Sequence, residues 1–192
     1  MSDVIDALVG IAPGSRLDAV RAQRAEARKH AQASYDALFA PAAPGGFTPD
    51  ERFAVAAFVA GLHREPRTGA HYESKLPAGL RGAVAAQVAA ARGEGPYGRF
   101  PRGPLSAEDA AGPIHRIDDA ARAALGPKLA AAFEHVHMLV FHPRDASAAA
   151  LQKLLDAGWT TTEIVTLSQL VSFLAFQIRV VAGLRVLNAE LA

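Results

Sequence analysis

Apolar residues recur at helical spacing along most of this chain, and glycine and proline interrupt them at helix-length intervals. The clearest run follows Thr160 and Glu163, where aliphatic residues repeat every three or four positions. They are Ile164, Leu167, Val171, Leu174, Ile178 and Val181. Further apolar residues widen this stripe until it nearly surrounds the helix, which predicts a central helix or one partly covered by a second subunit.

A second buried helix is predicted to begin after Thr48. Thr48 and Glu51 have the residue types of a capping box, and the apolar run from Phe53 to Leu62 follows them directly. This run has about half of the ~20 residues that a membrane span requires, so we expect no membrane segment there. An aromatic residue precedes the threonine at both helix starts, Phe47 before Thr48 and Trp159 before Thr160. This similarity indicates either an internal repeat or a coincidence of common capping residues.

The breaker cluster from Pro41 to Gly46 divides the sequence into an N-terminal helical arm, residues 1–46, and a helical domain, residues 47–192. Further helices are expected over residues 15–39, 80–91, 114–125, 127–141 and 146–157. Glycine and proline are too frequent in residues 92–104 for regular structure, which predicts a loop. Its larger side chains suit a lid or a partner contact, and they are Tyr97, Arg99, Phe100 and Arg102.

The composition supports a soluble all-α protein. Hydrophobic residues make up 51% of the chain and alanine, the strongest helix former, is abundant. Lys and Arg number 20 against 19 Asp and Glu, and they form no basic block, so we expect no nucleic-acid partner. The chain has no cysteine, which excludes disulfides and thiolate metal sites and fits a reducing compartment. Its first residues carry Asp3 and Asp6 and no basic region of a secretory signal, so a cytoplasmic location is expected.

The chain from about Phe47 to Leu187 resembles the carboxymuconolactone decarboxylase and alkylhydroperoxidase D superfamily. The stretches that carry the resemblance are Leu154 to Thr160, Glu163 to Val165, Phe173 to Leu184, Glu51 to Ala56 and the segment that continues to His71. The resemblance implies a compact alkylhydroperoxidase D-like fold, all-α, with a long central C-terminal helix. It also implies a homodimer or higher oligomer assembled through core helices.

The peroxidase branch of that superfamily uses two cysteines just before a histidine. His71 matches the histidine best, which places the cysteine positions on Arg64 and Arg67. The glutamate of the family's proton relay aligns with Arg52 or Phe53. Because peroxide reduction at such a site needs an attacking thiolate and a resolving thiol, the chain is not expected to be a thiol peroxidase. A decarboxylase or lyase reaction without a cofactor stays open.

His71 is therefore the candidate catalytic residue, as a proton-exchanging imidazole. Arg64, Arg67 and Tyr72 lie close to it in sequence and are candidates for binding a carboxylate. The final helix contributes further ligand-binding candidates, which are Gln169, Gln177 and Arg179. Two alternatives stay open: His71 as a hydrogen-bonded structural residue, and Arg179 as half of a buried ion pair instead of an anion anchor.

A second polar group clusters near the middle of the domain: Glu134, His135, His137, His142, Arg144 and Asp145. Glu134 and His137 have the ExxH spacing of carboxylate-bridged metal bundles, but such sites need a second ExxH, which the chain lacks. We therefore expect no metal, and we expect these histidines, with Gln169, Gln177 and Arg179, to satisfy one another or to line a polar cavity between helices. His115 is expected to form a surface pair with Asp118 or Asp119.

The residues and the resemblance together predict an oligomer without redox thiols that binds a small carboxylated organic molecule in a helix-lined pocket, without a cofactor. If it is an enzyme, His71 would transfer a proton in a decarboxylase or lyase reaction. The alternative is a non-catalytic, oligomeric helical interaction protein in which the site is vestigial.

Overall fold

The structure is a computed structural model that describes residues 3–191, and within that range the chain forms ten α-helices and two short 3-10 turns. The helices are α1 (Val4–Val9), α2 (Arg16–Ala22), α3 (Ala25–Phe39), α4 (Pro49–Leu62), α5 (Pro66–Glu73), α6 (Ala78–Ala91), α7 (Asp119–Leu125), α8 (Pro127–Phe141), α9 (Ala148–Asp156) and α10 (Thr161–Leu191). The 3-10 turns are Pro104–Glu108 and Pro143–Asp145. The predicted all-α class is confirmed.

Helix α4 forms the centre of the fold because every side chain from Ala54 to Ala60 is inaccessible to solvent. Helices α3, α5, α6, α8 and α10 pack around it. The predicted capping box is present: the Thr48 Oγ1 accepts from the Glu51 amide at 3.3 Å, and the Glu51 carboxylate accepts from the Thr48 amide at 2.8 Å. The backbones of α4 and α6 approach closely at Gly61, where a Cβ would collide with the side chain of Val88.

The starts of α4 and α10 lie side by side. The rings of Phe47 and Trp159 pack edge to face with centroids 4.9 Å apart. The Lys128 Nζ lies 3.9 Å from the Glu51 carboxylate and 3.6 Å from the Glu163 carboxylate, and it sits over the Trp159 ring. One lysine thus links the capping acids of both long apolar helices to α8.

The N-terminal arm packs against α10 through a separate apolar cluster, whose members are Val4, Ile5, Leu8, Val9, Leu17, Ala31 and Val181. The carboxylate of Asp6 on α1 forms ion pairs with Arg21 and Arg28, which lie on α2 and α3. These arginines therefore hold the three arm helices together.

Two helix boundaries differ from the prediction. The helix expected over residues 15–39 breaks at Gln23 and Arg24 into α2 and α3. The helix expected over 114–125 begins only at Asp119, whose N-cap Asp118 accepts from the Ala121 amide at 2.8 Å. The chain before it stays extended, and the Ile117 amide donates to the Glu134 carboxylate at 3.1 Å instead of to a helical carbonyl.

Helix α10 is long and apolar enough to cross a membrane by length and composition, and 39% of its most apolar window is buried inside the protein. A core helix of a soluble protein meets the same criterion. Several large apolar residues of α10 remain exposed: Val165 at 56%, Phe176 at 45% and Val186 at 67%. The helix is therefore central on one side and uncovered on the other.

Arg52 is a buried cation on α4, with 4% of its surface exposed. Its guanidinium donates to three carbonyl oxygens, those of Phe47 at 2.8 Å, Leu38 at 2.7 Å and Pro44 at 3.0 Å. These bonds fasten the end of α3 and the Pro41 to Gly46 connection to the central helix. At the position where the family resemblance placed a relay glutamate, the chain thus carries a structural cation.

We expect Arg52→Met to lower the free energy of unfolding by about 2–4 kcal/mol, because it leaves three carbonyl groups without donors. Urea denaturation measures this change. The control is Arg102→Met, which removes an exposed arginine and should change the free energy by less than about 0.5 kcal/mol. Equal stability of the two variants would contradict the role given to Arg52.

Candidate functional site

The structure brings together some of the residues predicted to form a site. The Tyr72 hydroxyl donates to the Gln177 Oε1 at 2.5 Å in the core, which joins α5 to α10. The His71 Nε2 lies 3.2 Å from the hydroxyl of Tyr35, and burial lowers the pKa of His71. His71 is half-buried, and its catalytic role stays a prediction.

The remaining predicted site residues lie apart from one another. Arg64 and Arg67 are exposed and donate to the carbonyls of Gly93 at 3.2 Å and Val9 at 3.5 Å. Gln169 lines a shallow groove between α9 and α10. The burial expected for Arg179 is not observed: this residue is exposed and donates to the Ala175 carbonyl within its own helix at 2.8 Å.

A cavity of about 470 Å³ lies instead beside α8, and we call it the histidine cavity after the four residues His115, His135, His137 and His142 that line it. Helix α8 has two faces. One packs on α4, where the rings of Phe133 and Phe58 stack with centroids 4.3 Å apart. The other lines the cavity with Ala131, Glu134, His135 and Met138, and His142 follows directly after the helix.

The chain between α6 and α7 covers this face of α8. Its first part is the loop predicted over residues 92–104, and the loop is fastened to the end of α8 by the Tyr97 amide, which donates to the Phe141 carbonyl at 2.7 Å. An isolated bridge joins Gly98 to Ala110, and the Arg144 guanidinium stacks on the Phe100 ring at 3.8 Å. The cover is thus a fixed segment held by several contacts.

His142 connects this cover to the turn after α8. Its Nδ1 lies 3.0 Å from the Asp145 carboxylate and its Nε2 lies 3.0 Å from the Pro113 carbonyl. Both partners are hydrogen-bond acceptors, so the His142 ring ties the cover to the turn at both of its nitrogens. Gly112 allows this contact, since a Cβ there would lie 2.5 Å from the His142 ring. Asp145 also accepts from the Arg99 amide at 3.1 Å.

Burial favours the neutral form of three histidines of the cavity. Burial and the nearby rings of His115 and His142 lower the pKa of His137 to about 4, although its hydrogen bond to the Ala91 carbonyl raises it. Burial also lowers the pKa values of His115 and His135. The His115 and His137 rings lie 5.3 Å apart, so two uncharged imidazoles adjoin each other on the cavity wall.

The Glu134 carboxylate of the cavity is paired with cations of the protein, whereas two cations of the cavity have no such partner. Glu134 pairs with Arg122 at 3.0 Å and with Arg116 at 3.4 Å. Within residues 3–191, the side chains of Arg99 and Lys153 form no ion pair or hydrogen bond. Both residues are exposed and line the cavity, so they lie at its mouth. The mouth is therefore positively charged.

Polar and charged side chains line the cavity together with apolar ones. In the part of the chain that the structure describes, no group of three or more His, Asp or Glu residues is arranged to hold a metal ion. Glu134, despite its ExxH spacing to His137, is occupied by Arg116, Arg122 and the Ile117 amide. Of the residues expected to share a polar cavity, His135, His137 and His142 line this one, whereas Gln169, Gln177 and Arg179 lie elsewhere.

Sequence reasoning did not place His115, Arg99 or Lys153 at this cavity. His115 was expected to pair with Asp118 or Asp119 on the surface, but its Nε2 lies 3.1 Å from the Gln87 Oε1. The extended chain before α7 turns this imidazole inward, and no periodic pattern indicates that. The sequence assigns Arg99 only to a loop that suits a lid or a partner contact, and no pattern distinguishes Lys153. Only the fold brings them to one opening.

No protein-family model matches this chain, and no curated protein or solved structure shows significant similarity to it. The geometry of the site alone carries the functional argument.

We expect the free energy of unfolding to fall as pH drops from about 6.5 to 4, because the unfolded chain protonates His137 near 6.5 and the folded protein only near 4. This difference corresponds to roughly 3 kcal/mol for His137 alone. Denaturation across this range should show a shallower pH dependence for His137→Leu than for the control His30→Leu, which removes an exposed histidine. The same slope in both variants would contradict the burial effect at His137.

Proposed function

We propose that this protein binds a small organic carboxylate in the histidine cavity. The observation that carries the proposal is the pairing of a positively charged mouth, at Arg99 and Lys153, with a floor of neutral imidazoles. The volume of about 470 Å³ lies within the usual range for small-molecule sites. Arg99 and Lys153 have no anionic partner within the described residues, and a bound anion would provide one.

The two cations differ in what they offer a carboxylate. The planar guanidinium of Arg99 can hold both carboxylate oxygens, and the Lys153 ammonium adds a point charge. Met138 and Ala131 provide apolar surface on α8 for the body of the ligand. Because Glu134 is already paired with two arginines, its repulsion of an anion is largely cancelled.

Histidine-mediated proton transfer is the reaction that the proposed site would support. His115 and His135 are neutral at neutral pH and line the cavity, so either imidazole can accept a proton from a bound acid. A pKa of about 4 makes His137 a weak base and a poor choice for this role. In this proposal the candidate catalytic histidines replace His71.

We also propose that the chain is a cysteine-free relative of the carboxymuconolactone decarboxylase and alkylhydroperoxidase D superfamily, with that superfamily's fold. The capped, fully buried helix α4 and the long helix α10 support it. At the two positions that match the redox cysteines, Arg64 and Arg67 are exposed arginines, so the ligand site would lie elsewhere than in the peroxidase branch.

The second candidate function is a helical interaction protein that assembles with its own copies. The exposed apolar side chains of α10, Val165, Phe176 and Val186, favour it. Helix α4 offers no such surface, because its own chain encloses it. The two functions are compatible, because the apolar side of α10 and the histidine cavity have no lining residue in common.

The carboxylate proposal predicts that benzoate binds the protein and that Arg99→Ala/Lys153→Ala weakens this binding at least about tenfold. The loss follows from removing both cations at the mouth of the cavity. Isothermal titration calorimetry measures the dissociation constants. The control is Lys29→Ala/Lys75→Ala, which removes two exposed charges elsewhere and should bind as the unmodified protein does. No binding of benzoate, or equal loss in both double variants, would contradict the proposal.

The assembly proposal predicts a mass of at least twice 20.1 kDa in light scattering at micromolar concentration. Replacing Phe176 by Glu should shift the mass toward the monomer, because a charge would be buried in an apolar contact. Glu in place of the exposed Ala189, near the end of α10, serves as the control. A monomeric unmodified protein would rule this candidate out.

A further inference from the structure

The hydrogen bonding of His137 fixes which of its nitrogens carries the proton. Its Nε2 lies 3.2 Å from the carbonyl oxygen of Ala91. A carbonyl oxygen can only accept, so Nε2 carries the hydrogen and donates it. In the neutral ring the Nδ1 atom then has no hydrogen and presents a lone pair.

This Nδ1 lone pair is a buried acceptor without a donor. The atom has no hydrogen-bond partner within residues 3–191, and the whole residue is 3% exposed. Buried polar groups are normally paired, because an unpaired group has lost its bonds to water without replacement. His137 nonetheless lines the histidine cavity.

The surroundings of the ring offer no substitute donor and keep the lone pair free. His115 and His142 are the nearest imidazoles, with centroids 5.3 Å and 6.3 Å away, and the Phe141 ring lies at 4.8 Å. The His142 nitrogens are engaged with Asp145 and Pro113, and the His115 Nε2 faces Gln87. Because the pKa of His137 is about 4, the ring stays neutral at physiological pH.

We infer that the cavity selects carboxylates that also carry a hydroxyl or N–H group, which donates to the Nδ1 of His137 while the carboxylate meets Arg99 and Lys153. This inference rests on the proposed function and adds a second recognition point to it. A site that presents a buried acceptor discriminates against a ligand lacking the donor, since that ligand would leave the acceptor unpaired. His137 is thus a specificity-determining residue that holds no proton of its own at Nδ1.

The test compares benzoate with meta- and para-hydroxybenzoate, which differ from it only by a hydroxyl group. The unmodified protein should bind one of the hydroxylated acids at least about tenfold more tightly than benzoate, as measured by calorimetry. In His137→Phe, which keeps a ring of similar shape without the acceptor, the preference should fall close to one. His30→Phe, at an exposed position on α3, should retain it.

The outcomes separate the inference from the proposed function. Equal binding of all three acids to the unmodified protein would overturn the inference, with water left as the partner of Nδ1, and would leave the carboxylate site standing. No binding of any acid would overturn both. If His137→Phe fails to fold, the ¹⁵N resonance of the His137 Nδ1 decides: it should shift on addition of the preferred hydroxybenzoate and stay unchanged with benzoate.

Discussion

The complete burial of α4 is the constraint on which the rest of the structure depends. A helix that is apolar on all sides must be covered on all sides, and helices from both ends of the domain do this. Because α8 helps to cover α4, one face of α8 lies in the core, where the Phe133 ring stacks on the Phe58 ring. The opposite face of α8, with Glu134 and His135, then points away from the centre and needs a cover of its own.

The extended chain between α6 and α7 supplies that cover, and its lack of helix has a functional consequence. A helix there would satisfy its own backbone, whereas the extended chain bonds to α8 and to the following turn through Tyr97, Ile117 and Pro113. These contacts hold the segment at its edges and leave space beneath it. The histidine cavity is that space, and burial under the cover keeps the His115, His135 and His137 rings uncharged.

Local patterns in the sequence predicted the helices well, because capping and periodicity act within a few residues. The capping box at Thr48, the buried run after it and the loop over residues 92–104 are all present. Long-range placement could not be predicted in the same way. Arg179 interrupts an apolar helix and was expected to be buried, but it lies on the uncovered side of α10. The buried cation is instead Arg52, whose three carbonyl partners come from chain turns that no period reveals.

The central claim is that a ligand occupies the histidine cavity and not the surroundings of His71. Imidazole resonances followed by NMR during titration with benzoate test it directly. The account predicts that the resonances of His115 and His135 shift together and saturate, while those of His71 and the exposed His30 stay in place. Shifts confined to His71, or no shift at any histidine of the cavity, would contradict it.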